Sequence, residues 1–282
     1  MKFDHQQVKN LAYWMDERES IRHRKEDGAS RPWTSDKILQ EFRFCNVNRE
    51  NDRVTRWIKK HIRDPLSADS YVWWTMMICR QVNWPPSLEQ IKPILLRGGE
   101  ACPQKMVSIL KEYRDDHYQK VFNSAYIVST NGRSMDKLEY LGQLWSAAKI
   151  IMPAYPPSNS MEDMYNFLTS FNGIASFMAG QIISDLAYTE TLEHAADWWT
   201  WCCSGPGSKR GLNRLMLRPL KASWPETEFR VAVNELRNML GDDVHARDYQ
   251  NCLCEFDKYS RVLNGEGKPR ATYSSHKGTY TV

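Results

Sequence analysis

The sequence predicts an all-α protein. Apolar residues recur at the three- and four-residue spacing of a helix face through most of the 282 residues. No run of alternating apolar and polar residues is bounded by hairpin turns, and the one candidate strand, residues 125–130, has no partner with which to form a sheet. Pro and Gly clusters at 31–33, 84–86, 153–160 and 205–207 separate the periodic segments. These three observations favour a helical fold.

The periodicity places the helices in chain order. Several of them follow a residue that commonly caps a helix N-terminus, such as Asp36, Ser67 and Ser160. The predicted helices lie near 5–26, 36–44, 49–63, 67–83, 104–116, 135–151, 161–170, 174–188, 192–203, 208–217, 226–240 and 246–262.

The chain divides most naturally at the Pro-rich stretch AYPPSNS, residues 154–160. We predict an N-terminal helical region over 1–153, a second helical region over 154–264 and an extended tail over 265–282, where Gly, Ser, Thr and Tyr are frequent. No repeat of 20 to 50 residues indicates a solenoid. The sequence leaves open whether the regions form one integrated domain.

The net charge of +4 is unevenly distributed. Residues 18–63 contain 13 Lys and Arg against 7 Asp and Glu, a local charge of +6, and the chain contains 11 Trp, 13 Tyr and 9 Phe. A basic segment in an aromatic-rich protein suits an anionic partner that contains bases. The alternative is a solvated helical surface over an aromatic core.

Hydropathy and cysteine usage indicate the compartment. The mean hydropathy is −0.62, and no window approaches 18 uninterrupted apolar residues, so we expect no membrane span. The N-terminus lacks the apolar stretch of a signal peptide. Seven scattered cysteines do not suggest a disulfide framework. We therefore expect a cytoplasmic protein.

Several cofactor and catalytic motifs are missing from the sequence. It has no GxxxxGK[ST], no GxGxxG after a strand, no HExxH and no GxSxG. A zinc site could be imagined at Cys202, Cys203, His245, Cys252 and Cys254, but structural zinc sites usually contain CxxC-type pairs. We predict no cofactor and no metal site, although the chemistry inferred below is compatible with a divalent metal.

A cationic pattern runs from residue 49 to residue 60. Its members follow one another at steps of four, three and four residues: Arg49, Arg53, Arg56 and Lys60. On one continuous helix they would form a single stripe opposite an apolar face around Trp57. Such a stripe can bind DNA phosphates through charge-assisted hydrogen bonds. The alternative is a solvated face whose charges pair with Glu50 and Asp52.

Residues 167–179, FLTSFNGIASFMA, predict two helices joined by a tight glycine turn. They resemble the L-x-x-[LF]-x-G-[IV]-[GA]-x-x-x-A pattern of helix-hairpin-helix DNA-binding elements, in which backbone N–H groups at a helix N-terminus bind a phosphate. The resemblance implies DNA contacts at Asn172, Gly173 and Ala175, and a core like that of helix-hairpin-helix DNA glycosylases with additional N-terminal helices. Ala175 replaces a usual glycine, which requires a negative φ there. Any helix pair joined at a glycine would look similar.

Asp197 is the predicted catalytic carboxylate. It lies 24 residues beyond Gly173, and helix-hairpin-helix DNA glycosylases have their catalytic Asp at a similar distance. The alternative is an N-cap of the Trp-rich helix predicted over 192–203. Asp185 and Glu19 are competing carboxylates.

The segment Gly205–Gly211, GPGSKRG, is a predicted anion-binding site. A flexible turn, the cap residue Ser208 and a following helix would aim backbone N–H groups at an anion, with Lys209 and Arg210 beside it. Arg22 and Arg24 are further candidates.

Four segments together resemble a phage enzyme family: ERESIRHRKEDG…RPWTSDKILQEFRFCNVNRENDRVTRW (17–57), FNGIASFMAGQIISDL (171–186), DWWTWCCSGPGSKRGLNRL (197–215) and DYQNCLCEFDKYSR (248–261). The family is that of the α-glutamyl/putrescinyl-thymine pyrophosphorylases, or amino acid:DNA transferases. The same helical domain accompanies the P-loop in some 5-hydroxymethyluracil DNA kinases. The likeness spans most of the chain and is most specific over 17–57.

The resemblance implies an activity. In that family a kinase makes the 5-pyrophosphoryloxymethyl base on double-stranded DNA, and the transferase displaces pyrophosphate with the amine of an amino acid or polyamine. Because this sequence has no P-loop, we expect the transferase step, with functional coupling to such a kinase. The base must leave the duplex stack or be reached through a groove, and a carboxylate must deprotonate the ammonium or stabilise the methylene cation.

The resulting site prediction has three parts. The predicted catalytic residues are Asp197 and Glu19. The predicted DNA- and phosphate-binding residues are Arg22, Arg24, Asn46, Arg49, Arg53, Arg56, Asn172, Gly173, Ala175, Ser208, Lys209, Arg210 and Lys258. The predicted base-pocket residues are Trp33, Trp198 and Trp201.

Two other functions stay open from the sequence. A DNA glycosylase acting on a modified base would leave abasic sites and would need no amine. A non-catalytic DNA-binding partner of a separate kinase would bind DNA without making product.

Overall fold

The computed structural model describes residues 1–123, 128–151, 159–269 and 271–273. Twelve α-helices lie in these residues, which contain no β-strand beyond one isolated antiparallel bridge between Phe42 and Thr272. The all-α prediction is confirmed. Residues 125–127 of the candidate strand at 125–130 lie outside the described residues, and residues 128–130 form no strand.

The helices are numbered in chain order. They are α1 (His5–Glu26), α2 (Lys37–Glu41), α3 (Arg53–Ile58), α4 (Val72–Val82), α5 (Pro85–Leu95), α6 (Pro103–Asp115), α7 (Lys137–Ile151), α8 (Met161–Thr169), α9 (Ser176–Leu186), α10 (Pro206–Leu215), α11 (Glu226–Leu240) and α12 (Ala246–Leu263). Short 3₁₀ turns occur at Arg49–Asn51, Asp64–Leu66 and Gly98–Glu100, and a π-helical turn at Lys59–Arg63 follows α3.

Two helix predictions are wrong: one predicted helix is absent, and one helix was not predicted. The predicted helix over 192–203 is a series of turns. The sequence did not predict α5, because prolines commonly interrupt a helix. Pro85 and Pro86 instead occupy its first turn, where a missing N–H costs nothing. The predicted caps Asp36 and Ser160 do accept hydrogen bonds from the first backbone N–H groups of α2 and α8.

The predicted continuous helix over 49–63 is also wrong. Its first turn is the 3₁₀ turn Arg49–Asn51, and Asp52 is extended, with φ −71° and ψ 135°. The helix restarts at Arg53 and widens into the π-helical turn Lys59–Arg63. Arg49 therefore lies outside the helix that carries Arg53 and Arg56.

The chain forms two compact units. Unit 1 consists of Met1–Asp52 and Trp199–Val282, and unit 2 consists of Arg53–Trp198. These boundaries differ from the sequence-based regions 1–153, 154–264 and 265–282, because the ends of the chain pack together in unit 1. The functional division into those regions stays a prediction.

The core of unit 1 is built by α1, α10, α11 and α12. Each contributes an apolar face, and fully buried examples are Leu11, Trp14, Leu212, Phe229 and Leu253. Burying each such side chain contributes about 1.5–3 kcal/mol. This core holds α10 against α12, whose contact shapes the site described below.

The core of unit 2 surrounds α4, in which every residue is buried. The Trp74 indole donates to the Trp145 carbonyl at 2.8 Å, and the Trp145 indole donates to Gln81 Oε1 at 2.6 Å. The Arg80 guanidinium forms an ion pair with Asp185, and each of the two side chains is 1 % exposed. A fully buried charge is tolerated only when it is paired in this way.

Candidate functional site

Residues 45–49 form a loop that runs antiparallel to one face of α12. The Cys45 N–H donates to Glu255 Oε2 at 3.0 Å, and the Arg49 N–H donates to Asp248 Oδ1 at 3.2 Å. Asp248 and Glu255 are seven residues apart, which places both on the same face of a helix. The two segments 17–57 and 248–261 therefore meet in unit 1.

Arg18 of α1 fixes the start of this loop. Its guanidinium donates to the Cys45 carbonyl at 3.1 Å and to Asn46 Oδ1 at 2.7 Å. Asn46 also donates its backbone N–H to Asp52 Oδ1 at 3.0 Å. The predicted DNA ligand Asn46 thus uses its side chain to order the loop. The Nη1 atom of Arg18 is buried and has no hydrogen-bond partner among the described residues.

Two carboxyls beside this loop have pKa values near neutrality. Burial raises the pKa of Asp52 to about 6 and that of Asp248 to about 6, and the nearby Arg49 guanidinium opposes both shifts. Asp248 is 4 % exposed, whereas Asp52 is half-buried. A carboxyl with such a pKa is mostly ionised at pH 7 and can accept a proton there. We call Arg18, Arg49, Asp52 and Asp248 the loop cluster.

Neither of these carboxyls was predicted from sequence. Asp52 was expected only as a surface partner of the cationic stripe. The signal that could have found it is the presence of an acidic residue near Arg49 in the most specific segment. The Glu255 carboxylate, which also raises the pKa of Asp52, is about 200 residues away in sequence.

Helix α10 lies directly on α12 because its glycines permit close approach. A Cβ at Gly207 would lie 2.3 Å from Cys254 Sγ, and one at Gly211 would lie 2.1 Å from the Leu253 carbonyl oxygen. The segment predicted to be a flexible anion loop is therefore a close helix contact. A Cβ at Gly205, in contrast, would lie no closer than 3.7 Å to any of its neighbours.

The three polar residues of the GPGSKRG segment have different environments. Ser208 is fully buried, and its hydroxyl exchanges hydrogen bonds with Gly205 in a capping box. Arg210 Nε contacts buried Asp257 at 2.9 Å. Lys209 is half-buried and forms no ion pair in the part of the chain that the structure describes. Of the three, Lys209 is the side chain best able to meet an anion at this helix N-terminus.

The predicted residues of α1 are largely neutralised by neighbours. Arg22 pairs with both Glu19 and Glu26, and its hydrogen bond to Glu19 raises its pKa. Arg24 donates to the Trp33 carbonyl and lies 3.5 Å from Glu17. Glu19 Oε2 is buried with no hydrogen-bond partner among the described residues.

Lys258 lies on α12, about three turns beyond Asp248 of the loop cluster. Its ammonium pairs with Glu255 at 2.5 Å and lies 4.9 Å from the Phe44 ring centroid. Lys258 therefore helps to attach the 45–49 loop to α12.

The three predicted base-pocket tryptophans have different environments within their own units, and their role in a base pocket stays a prediction. Trp201 is 2 % exposed and is part of the interior of unit 1. Trp198 belongs to unit 2, where its indole donates to the Ala187 carbonyl at 2.5 Å. Trp33 is half-buried in unit 1 and packs edge-on against Tyr273 at 5.8 Å.

The remaining predicted DNA ligands belong to unit 2. Arg53 is exposed on α3 and Arg56 is half-buried there, while Trp57 and Ile58 of the same helix are buried, as predicted. Asn172, Gly173 and Ala175 form the turn between α8 and α9. Gly173 has φ +114°, and Ala175 has φ −80°, which meets the condition for an alanine at that position.

Asp197 binds the N-terminus of α8. Its carboxylate accepts hydrogen bonds from the Met161 N–H at 2.7 Å, the Glu162 N–H at 3.1 Å and the Ser160 hydroxyl at 3.3 Å. Asp197 therefore caps α8. It does not cap the Trp-rich helix predicted over 192–203, because no helix begins at Asp197. These three donors occupy three of the roughly four lone-pair positions of the carboxylate. Its catalytic role stays a prediction.

Comparison with known proteins decides the family. A family model described as "5-hmdU DNA kinase, helical domain" matches residues 5–268, which is nearly the whole chain. The chain belongs to this family. It is also similar to a 5-hmdU DNA kinase of Bacillus phage SP10, with 24% identity over 217 residues. That match covers 70% of this chain but only 34% of the phage kinase. No solved structure matches the chain.

Unit 1 also contains a cavity that the sequence did not predict. Its volume is about 540 Å³, and it lies wholly in unit 1. Its lining combines two arginines, three amides and three aromatic rings with leucines: Gln7, Asn10, Tyr13, Arg214, Leu217, Arg218, Leu220, Phe256, Tyr259, Ser260, Leu263 and Asn264. Arg214 is already paired with Asp257 and Glu266.

All seven cysteines lie in the described part of the chain and all are free thiols. Burial raises the pKa of Cys254 to about 11 and that of Cys203 to about 12, so both stay protonated at neutral pH. Among the described residues, no three His, Cys, Asp or Glu side chains are grouped to hold a metal ion. Likewise, none of the described helices is long and apolar enough to span a bilayer.

Proposed function

We propose that this chain is a transferase in the metabolism of DNA with modified thymine. It would replace the pyrophosphate of 5-pyrophosphoryloxymethyluracil with the amine of an amino acid or polyamine. The proposal is supported by membership of the 5-hmdU DNA kinase helical-domain family. The observation that carries it is the loop cluster, where ionisable carboxyls and arginines meet in this domain.

The reaction needs a base and an anion site. The amine nitrogen attacks the C5 methylene carbon, the bond between that carbon and oxygen breaks, and pyrophosphate leaves with the electron pair. The attacking amine is protonated at neutral pH, so a base must take its proton. Asp52 suits this role because its pKa of about 6 leaves it mostly ionised at pH 7 and it is partly accessible.

The leaving pyrophosphate requires cations that are positioned before the reaction. Arg49 carries its guanidinium beside Asp52, and Lys209 stands at the N-terminus of α10, where backbone N–H groups favour an anion. Both belong to unit 1. Cations arranged in this way stabilise charge that develops as the carbon–oxygen bond breaks.

We assign DNA contact in unit 2 to the α8–α9 turn, as a helix-hairpin-helix element. The left-handed φ of Gly173 and the negative φ of Ala175 fit such an element. The N-terminus of α9 begins directly after Ala175 and is suited to a backbone phosphate. A core like that of DNA glycosylases is part of this proposal.

The experiment supplies the full substrate set. The protein is incubated with 5-pyrophosphoryloxymethyluracil DNA and a panel of amino acids and polyamines, and the digested nucleosides are analysed by mass spectrometry. We expect an amine adduct and an equal amount of released pyrophosphate. Release of pyrophosphate with return of the hydroxymethyl base in every reaction would contradict the transfer step.

A second candidate is a DNA-binding partner that presents the modified base to a kinase. It is favoured by the match to only 34% of the phage kinase, which leaves most of that protein for other tasks. This candidate predicts DNA binding, no adduct with any amine, and stimulation of an added 5-hmdU DNA kinase. A glycosylase would instead produce abasic sites, which the same nucleoside analysis detects as free base.

A further inference from the structure

Residues 271–273 are attached to the region around residue 42 by main-chain hydrogen bonds. The Arg43 N–H donates to the Ala271 carbonyl at 2.9 Å, and the Tyr273 N–H donates to the Glu41 carbonyl at 2.8 Å. These bonds flank the bridge between Phe42 and Thr272. The Tyr273 ring is consequently held beside Trp33, with the two ring centroids 5.8 Å apart.

Three cations surround the Tyr273 ring. Arg31 Cζ lies 4.7 Å from its centroid, Arg43 Cζ 5.4 Å and Lys25 Nζ 5.8 Å. Arg31 and Lys25 also lie over Trp33, at 4.9 and 5.2 Å. All three cations are exposed, whereas both rings are half-buried. The rings therefore restrain long cationic side chains at the surface.

The positive charge of Arg31 and Arg43 is not balanced locally. Neither guanidinium forms an ion pair with a carboxylate of the described residues, in contrast to Arg22, which contacts two. Like charges held around one ring repel each other, and a bound polyanion would relieve that repulsion. Their restraint by the rings also reduces the side-chain entropy lost when a ligand binds.

We propose that Lys25, Arg31 and Arg43, held around Trp33 and Tyr273, bind the phosphate backbone of the DNA substrate. The site contacts phosphates rather than a stacked base, because Arg31 already lies over both rings. Trp33 then acts by positioning cations, and not as the wall of a base pocket. The inference rests on the proposed function only in taking DNA as the ligand.

The test is the salt dependence of DNA binding. The double variant Arg31→Gln, Arg43→Gln is compared with the control Lys9→Gln, Lys221→Gln, which removes the same charge from exposed, unpaired positions of unit 1. Dissociation constants for a fluorescent 5-hydroxymethyluracil duplex are measured between 50 and 200 mM salt. We expect the log–log slope to fall by about 1.8 in the first variant, about 0.9 per phosphate contact, and to stay near the wild-type slope in the control.

A second pair of variants separates positioning from charge. Tyr273→Ala removes the ring and keeps all three cations, whereas Tyr273→Phe keeps the ring. We expect weaker binding and a smaller slope for the alanine variant and wild-type behaviour for the phenylalanine variant. Equal slopes for the arginine variant and its lysine control would overturn the proposal, as would identical binding by the two Tyr273 variants.

The outcome is independent of the catalytic proposal. Wild-type protein that binds DNA with the predicted variant pattern but gives no amine adduct would leave this site standing and reject the transferase activity. An adduct formed by wild-type and arginine variant alike, with equal salt slopes, would reject the site and keep the activity.

Discussion

The Arg80–Asp185 pair of unit 2 and the loop cluster of unit 1 differ in how completely their charges are paired. In unit 2 the Arg80–Asp185 pair is fully buried, and both partners are hydrogen-bonded within the core. In unit 1 the loop cluster leaves Asp52 half-buried, with a pKa of about 6, and leaves one nitrogen of Arg18 without a partner. Complete pairing of a buried charge stabilises a fold, whereas incomplete pairing near a surface is typical of functional sites.

Gly173 of unit 2 and Gly211 of unit 1 have different structural roles. Gly173 in unit 2 has φ +114° and permits a sharp turn, while Gly211 in unit 1 lies within a helix and permits backbone contact with α12. Both occur in segments that sequence reasoning assigned to phosphate binding. Only the turn glycine requires the unusual backbone conformation that such elements use.

The largest expected effect is in the buried pair of unit 2. Asp185→Asn keeps the side-chain volume but leaves the Arg80 charge without its counter-charge, and should lower the free energy of unfolding by about 3–5 kcal/mol. Glu139→Gln is the control, because Glu139 and Lys111 form an exposed ion pair in the same unit. This substitution should change the free energy of unfolding by less than about 1 kcal/mol. Urea unfolding followed by circular dichroism measures both. Equal losses in the two variants would contradict the contrast.

A smaller loss is expected at the helix contact of unit 1. Gly211→Ala places a methyl group 2.1 Å from the Leu253 carbonyl oxygen, so α10 must move away from α12, at a cost of about 1–3 kcal/mol or more. Gly205→Ala meets nothing within 3.7 Å and should be nearly neutral. Thermal midpoints compare the two variants. A Gly211→Ala protein as stable as Gly205→Ala would show that this contact is not close.

A pH-dependent effect is expected at Asp248. Burial raises its pKa from 3.8 to about 6, so the folded state binds more protons than the unfolded state between those values. The contribution of Asp248 to the free energy of unfolding is therefore present at low pH. It is lost as the pH rises through about 6, by at most about 1.4 kcal/mol per pH unit. The stability of Asp248→Asn relative to wild type should rise from pH 4 to pH 7. A difference that stays constant over this range would contradict the raised pKa.

The comparison of the units also shows what sequence can predict. Helical periodicity is local, so the all-α fold and the caps Asp36 and Ser160 follow from short stretches. The break at Asp52 does not, because extended backbone there is fixed by contacts of the 45–49 loop with α12. Pro85 was interpreted as a helix breaker although it occupies the first turn of a helix.

The site is harder to predict than the fold for the same reason. Residue type identified Lys209 and Arg210, but pairing decides which cations are available, and the partner of Arg210, Asp257, is distant in sequence. The raised pKa of Asp52 depends on burial by another segment. Spacing from Gly173 identified Asp197, yet its hydrogen bonds to the N-terminus of α8 appear only in three dimensions.

The central claim is that Asp52, in the loop cluster, is the base of the proposed transfer. The direct test compares single-turnover rates of amine adduct formation for wild type, Asp52→Asn and Asp197→Asn on pyrophosphorylated DNA. We predict that Asp52→Asn lowers the rate about 10²- to 10⁴-fold with DNA affinity retained, and removes the rise in rate through pH 6. Asp197→Asn should stay within a few-fold of wild type, because asparagine caps a helix about as well as aspartate. A wild-type rate and pH profile in Asp52→Asn, with the large loss in Asp197→Asn, would contradict the account.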